Sequence, residues 1–420
     1  MTLAAPLRPS PENYGRYRLI ERIGRGGMAE VFKAYVEGFE GYRDTFVIKR
    51  IRPEKAASAE VIQMFCDEAR ICGMLSHPHI VEMYDFGQIG GAYFMAMEYL
   101  RGRDLATVMR ALRVRLAAAP PFVAAGIARN VALGLEHAHG ATLPDGRPAE
   151  IVHRDVTPSN IMLLASGGVK ILDFGIAKVA AARPEPAAPR KRRIKGKLAY
   201  LAPEQVRNGE LDARSDVFSL GVVLWEMLAG QRLFASDTEF QTLRNVLMQP
   251  VPPPSSKRPE VPAALDRVVA RALERERDAR YPTAAALADD LAAVLAAAPR
   301  AAPDTDEGVA GLLATLFGDG AAEPRERMTA SLTAESISSL DSDQPARTTG
   351  EQRAMLAEVV ASVDSPVVPA APEAPRRRRP GALVAVALLA MVVAATLGLR
   401  ALSRAARDPS RRADTGSAGR

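Results

Sequence analysis

From Tyr17 to about Ala298 the chain alternates strand-like and helical apolar spacings, punctuated by glycine, and the pattern fades on either side. That contrast sets the scale of the fold. The patterned stretch is long enough to bury a core in two lobes, and the rest of the 420 residues are appendages. Residues 1–16 are Pro-rich and hold no apolar h-region, so no signal peptide is expected there. Residues 299–375 turn Ala/Pro/Ser/Thr-rich and read as a linker, with one short amphipathic piece near Val309–Phe317 expected to pack onto the domain.

Composition excludes several function classes. Hydrophobic residues at 48% and charged residues at 25% rule out a wholly disordered or collagen-like chain. The net charge of +6 comes from local arginine runs, and a single tryptophan offers no stacking platform, so no nucleic-acid partner is expected. Cys66 and Cys72 fall in a helical-looking stretch and are expected as reduced thiols.

The segment Gly381–Leu399 carries no charge and follows Arg376–Arg379. At ~1.5 Å per residue it would span roughly 28 Å, close to a ~30 Å hydrocarbon core. Its nine Leu and Val residues favour insertion by roughly 3–5 kcal/mol. A single transmembrane helix is expected at 381–399, with a short tail, 400–420, beyond it.

Within the patterned stretch, short polar motifs recur in a fixed order. Ile23-Gly24-Arg25-Gly26-Gly27-Met28-Ala29-Glu30-Val31 follows a strand-like run. Its glycines let a hairpin backbone approach phosphates, and Val31 can cover a purine face. Phe46-Val47-Ile48-Lys49 alternates like a strand and ends in a lysine. Glu68 lies in a helical stretch and can pair with Lys49. Met97-Glu98-Tyr99-Leu100 ends another apolar strand. His153-Arg154-Asp155-Val156-Thr157-Pro158-Ser159-Asn160 comes next, and Asp173-Phe174-Gly175 starts thirteen residues after Asn160. Ala202-Pro203-Glu204 and Asp216-Val217-Phe218-Ser219-Leu220-Gly221 close the series. Taken singly each motif is modest; the ordered set is specific.

Residues 17–298 therefore resemble the eukaryotic-like serine/threonine protein kinases of bacteria. The resemblance implies an α+β, two-lobed kinase fold, with an antiparallel sheet plus helix in the N-lobe and a helical C-lobe. It implies ATP and Mg²⁺ as cofactors, and transfer of the γ-phosphoryl group to protein hydroxyls. Residue by residue, Lys49 would hold the α/β-phosphates and be oriented by Glu68. Asn160 and Asp173 would ligate Mg²⁺, and Asp155 would take or orient the substrate proton. The nucleotide would lie against residues 23–31 and Val47. The backbone of Glu98 and Leu100 would meet the adenine edge, with Met97 as gatekeeper and Asp104 near the ribose. His153, Phe174, Cys72 and Met83 match the family's apolar stack between lobes, and Glu204 would pair with Arg280.

Three departures from the family pattern stand out. Thr157 replaces the lysine that usually follows the catalytic aspartate by two residues. Gly196-Lys197 replaces the usual Gly-Thr, so Lys197 is expected to deliver the missing charge to the site. The segment from Asp173 to Glu204 contains no serine or threonine. Phosphorylation of that segment on Ser/Thr is therefore excluded, and linker residues such as Thr329, Ser331 and Ser336 become the expected autophosphorylation sites. The segment instead carries Arg190-Lys191-Arg192-Arg193 and Lys195, a candidate docking surface for acidic substrates. A smaller insertion, Thr142–Glu150, carries an Asp145-Gly146 turn signal and reads as a surface hairpin.

The chain is thus expected to act in membrane-associated signalling, as a single-pass protein with its kinase domain on the cytoplasmic side of the inner membrane. Its input would arrive in the cytoplasm or through self-association of the helix. The competing reading is a pseudokinase scaffold that binds partners without turnover; a small-molecule kinase of related fold is a third. Retention of Lys49, Glu68, Asp155, Asn160 and Asp173 argues against the scaffold. The Ala-Pro-Glu element favours protein substrates.

Overall fold

Alternation along one strand organises the N-lobe. In β4 (Arg43–Ile51), Val47 and Lys49 point to one face and Ile48 to the other, as a two-residue period requires. A computed structural model describes residues 11–38, 43–115, 117–143, 145–174, 197–300 and 302–322. In it β4 pairs antiparallel with β3 (Ala29–Glu37) and β6 (Ala92–Glu98). With β1 (Glu12–Tyr14), β2 (Tyr17–Arg25) and β5 (Met83–Ile89) these strands form one antiparallel sheet in the order β1-β2-β3-β4-β6-β5. The register sets Val31 opposite Lys49 and Val47 opposite Met97, which brings four cleft-facing residues together. On the other face Ile48 packs with Tyr17, Leu19, Phe32 and Phe94 in a separate small core.

Helix α1 (Ala59–Met74) covers the inner face of the sheet. Ser58 caps it by accepting the Val61 N–H, and its buried stripe is Phe65, Glu68, Ala69 and Cys72. A glutamate inside that apolar stripe requires a buried partner. Phe65 and Ala69 pack against Ile51, Met95 and Ala29 of the sheet. Both cysteines are free, and burial pushes the Cys72 thiol up to about 12, so it packs rather than reacts.

The C-lobe is built around α3 (Pro121–His139) and α5 (Ala213–Ala229), with α2 (Leu105–Val114), α7 (Ala263–Ala272) and α8 (Ala284–Ala296) packed against them. Helices α4 (Pro203–Arg207) and α6 (Glu239–Met248) complete the helical set that precedes residue 300. A small antiparallel sheet, β7 (Gly102–Asp104), β8 (Ile161–Leu164) and β9 (Val169–Ile171), lies beside the loops that carry the polar motifs. Insertion 142–150 folds back through a Thr142–Pro148 bridge, with Gly146 at φ +85° in its turn.

Beyond residue 300, α9 (Thr305–Phe317) buries Val309 and Leu313 in the C-lobe core. It starts four residues before the amphipathic piece read from sequence, because Asp304 caps it by accepting the Glu307 N–H. Among the described residues no helix is long and apolar enough to cross a membrane. The segment 381–399, the basic run 190–195, Gly175 and the hydroxyl-rich linker stretch 329–343 lie outside the described residues.

One ion pair ties the C-lobe together. Arg280 Nη1 and Nη2 each donate to a Glu204 carboxylate oxygen at 2.8 Å, and Ser215 Oγ donates to the same carboxylate at 2.7 Å. Against the cost of burial, the Arg280 guanidinium and Ser215 hold the Glu204 carboxyl below its ordinary range. Arg280→Met should leave a buried carboxylate without its cation and cost about 3–5 kcal/mol of stability. Urea denaturation of the variant beside the parent measures it, and a loss under about 1 kcal/mol would mean that the pair holds nothing together.

Candidate active site

The lobes meet at a cleft of about 600 Å³, counting its open space, with an apolar roof and floor and a polar end. Val31, Val47, Val81, Met97, Leu100 and Leu172 supply the apolar walls; Lys49, Glu98, Ser159, Asn160 and Asp173 supply the polar groups. Ile23 packs behind Val31, Val47 and Leu100.

Lys49 is the hinge of the polar end. Its Nζ donates to Glu68 Oε1 at 2.5 Å and to Asp173 Oδ1 at 3.0 Å, joining β4, α1 and the loop after β9. Burial works against the ammonium, yet the two carboxylates outweigh it and hold the lysine charged, well above its ordinary pKa. Burial pushes Glu68 upward while Lys49 pulls it back; Asp173, opposed by burial, is held low by the Lys49 charge. Asp173 also sits at φ +44°, a strained conformation for a residue other than glycine, and its side chain remains 41% exposed to the cleft.

Asp155 lies on the loop between α3 and β8. Asn160 Nδ2 donates to its backbone carbonyl at 2.9 Å and to Oδ2 at 3.1 Å, and Lys197 Nζ donates to the same Oδ2 at 2.7 Å. The loop is anchored from below by Asp216, fully buried in the first turn of α5. Its carboxylate accepts the His153 N–H at 2.7 Å and the Arg154 N–H at 2.8 Å, and pairs with His139 Nε2 at 2.8 Å. Those bonds hold Arg154 at φ +63°. The His153 ring packs on Phe174 with centroids 4.7 Å apart, and Phe174 is seated among Leu75, Ile80 and Ile151.

The glycine-rich turn contributes backbone rather than side chains. The Gly26 N–H donates to Ala29 O at 2.7 Å, closing the hairpin. A Cβ on Gly27 would meet nothing within 4 Å, so no packing inside the chain demands that glycine. Side chains of the turn are engaged elsewhere. Glu30 pairs with Arg22 at 3.1 Å and Arg25 at 3.5 Å, and Met28 packs toward α1. Asp104, expected near the ribose, is not among the lining residues. It caps α2, accepting the Thr107 N–H at 2.8 Å and its hydroxyl at 2.7 Å. Met97, Glu98 and Leu100 do line the cleft. The Glu98 N–H is taken by Glu82 O at 3.0 Å, and its carboxylate accepts from Lys170 at 2.5 Å. Sequence reasoning missed Val81, Leu172 and Ser159 as lining residues, Lys170 as the partner of Glu98, and Asp216 as the anchor of the loop. Leu172 adjoins a motif residue and Ser159 lies inside a motif; Val81 carries no local signal.

The family description "protein kinase domain" matches residues 17–291. The chain belongs to the protein kinase family. This kinase is 39% identical over 287 residues to the tyrosine-protein kinase MasK of Myxococcus xanthus, covering 68% of this chain and 44% of the relative. It is 34% identical to the serine/threonine-protein kinase PknD of Mycobacterium tuberculosis over 66% of this chain and 39% of that one. With PknB of Mycobacterium leprae the identity is 33% over 79% of this chain and 51% of the relative. The kinase thus spans about half the length, or less, of these curated relatives. Among solved structures, a kinase domain of M. tuberculosis PknI aligns with a TM-score of 0.50 and 28% identity, over 69% of this chain and 99% of that one.

If the glycine turn serves a phosphate, Gly27→Val should weaken binding of an ATP analogue by about 1–2 kcal/mol, roughly 5–30-fold, with melting unchanged. Calorimetric titration beside a thermal melt measures both. Unchanged affinity would remove the turn from the nucleotide site.

Proposed function

We propose that this kinase transfers the γ-phosphoryl group of ATP to serine or threonine hydroxyls of protein substrates. The observation that carries the reading is Lys49 bridging Glu68 and Asp173 at the end of a cleft that also holds Asn160, next to Asp155. The apolar walls fit a purine, with the Glu98 carbonyl and the Leu100 backbone toward its edge. Lys49, oriented by Glu68, would meet the α/β-phosphates. Asp155 would accept the proton of the attacking hydroxyl as its oxygen bonds to phosphorus and the bond to the β–γ bridging oxygen breaks, leaving ADP with the electron pair.

The polar end fits Mg²⁺. Asp173 presents an exposed carboxylate, and Asn160, its amide nitrogen spent on Asp155, has its carbonyl oxygen for a hard cation. Among the described residues no group of three or more His, Cys, Asp or Glu forms a cage. That suits a metal that takes one or two protein oxygens and completes its shell with phosphates and water. When bound, Mg²⁺ neutralises phosphate charge.

Relatives named as serine/threonine kinases support an aliphatic acceptor; MasK, named as a tyrosine kinase, favours tyrosine as the second reading. Phosphoamino-acid analysis of a phosphorylated generic protein separates them. A preference for acidic substrates rests on the sequence run Arg190-Lys191-Arg192-Arg193 and Lys195. Membrane association, with the kinase domain on the cytoplasmic side, rests on the uncharged 381–399 segment and its flanking arginines. The assembled site argues against a scaffold without turnover.

Asp155→Asn and Asp173→Asn should each keep the fold and lower transfer by about 10³-fold or more. Incorporation of ³²P from labelled ATP, with a melt of each variant, checks this. Transfer within about tenfold of the parent in Asp173→Asn would refute the assignment.

A further inference from the structure

Phosphoryl transfer at Asp155 requires positive charge where the hydroxyl, the carboxylate and the γ-phosphoryl group converge, and residue 157 of the loop carrying Asp155 does not supply it. Position 157 is a threonine, 2% exposed, whose Oγ1 lies 3.0 Å from Ser159 Oγ. Lys49 is held at the other end of the triphosphate path by Glu68 and Asp173. One described lysine does reach Asp155. Lys197 Nζ lies 2.7 Å from Asp155 Oδ2, with side chains 15% and 9% exposed.

We propose that Lys197 is a catalytic residue, a cation that this kinase supplies from the segment before Ala202-Pro203-Glu204 instead of from the loop of Asp155. Seating of the turn Leu198–Tyr200 on α5 is then the event that completes the site. The proposal rests on the kinase reading above and goes beyond it in naming which charge is delivered and from where.

The turn has what that task requires. The Tyr200 N–H donates to Lys197 O at 3.1 Å, which fixes the lysine backbone to the turn. The Tyr200 hydroxyl donates to Glu226 Oε2 at 2.9 Å, and Ser219 Oγ donates to Tyr200 O at 2.7 Å, both in the buried body of α5. Arg232 closes on the same tyrosine and glutamate. Lys197 is therefore placed from the C-lobe core, three residues from an anchor. A site assembled by docking this turn needs no phosphate, in keeping with a segment from Asp173 to Glu204 that offers no Ser or Thr to modify.

In the reaction, the substrate O–H proton passes to Asp155 while its oxygen bonds to the γ-phosphorus. The bond to the β–γ bridging oxygen breaks, and its electron pair leaves with ADP. Lys197 neither gains nor loses a proton; it balances charge on the carboxylate and the moving phosphoryl group.

The test exchanges two residues in the full chain. Lys197→Thr should lower kcat by about 10²–10³-fold, the usual cost of one preorganised donor, with binding of a fluorescent ATP analogue and melting unchanged. Adding Thr157→Lys should restore kcat to within about tenfold of the parent, by returning the charge from the loop side. A kcat for Lys197→Thr within about threefold of the parent, or above it, overturns the proposal; so does an exchange variant that binds nucleotide normally yet turns over no faster than the single variant. If the parent transfers no phosphate, or Asp155→Asn transfers as well as the parent, the kinase reading itself falls and the proposal with it.

Discussion

An ammonium buried at the end of a β-strand is costly unless carboxylates meet it, and much of this structure is arranged around that one requirement. Lys49 leaves β4 on the inner face of the sheet, so its partners must arrive from elsewhere. Glu68 arrives from the buried stripe of α1, and Asp173 from the loop after β9. A helix on the sheet, a strand register and a C-lobe loop are therefore positioned by one cation. The same cation leaves Asp173 low in pKa and partly exposed, the state in which a carboxylate can accept a hard metal.

The C-lobe repeats the device with buried carboxylates. Asp216 has no exposed surface, and it spends its oxygens on two backbone N–H groups of the loop that carries Asp155. Arg154 is thereby held in a left-handed conformation that its side chain does not favour. Glu204, clamped by Arg280 and Ser215, fixes the start of α4, and Tyr200 ties the preceding turn to α5. The loop of Asp155 and the turn after Lys197 are each pinned to the buried helix α5 within a few residues.

Much of the site was legible because its residues lie in short motifs of fixed order. Lys49 and Glu68 were readable as a pair from an alternating strand that ends in a lysine and a helical stretch that carries the glutamate. Glu204 and Arg280, far apart in sequence, were matched through family resemblance, and the structure joins them. Lys197 was picked out by a lysine missing at position 157, and its Nζ does reach Asp155. What escaped was decided by tertiary packing. Val81 enters the cleft from a segment without a motif, and Lys170 finds Glu98 across the lobe junction. Asp104 illustrates competition for one side chain: the start of α2 has unpaired N–H groups, and the carboxylate satisfies them. Likewise α9 was expected only from Val309, because a cap five residues before that first large apolar residue leaves little trace in hydrophobic pattern.

The central claim is that Lys49 holds Asp173 ready for a metal-bound nucleotide, and the metal dependence of nucleotide affinity tests it most directly. Binding of a non-hydrolysable ATP analogue should be titrated with Mg²⁺ and with EDTA, in the parent and in Asp173→Asn. Mg²⁺ should tighten binding at least about tenfold, ~1.4 kcal/mol, in the parent, and the substitution should abolish most of this gain. An equal gain in both proteins would contradict it.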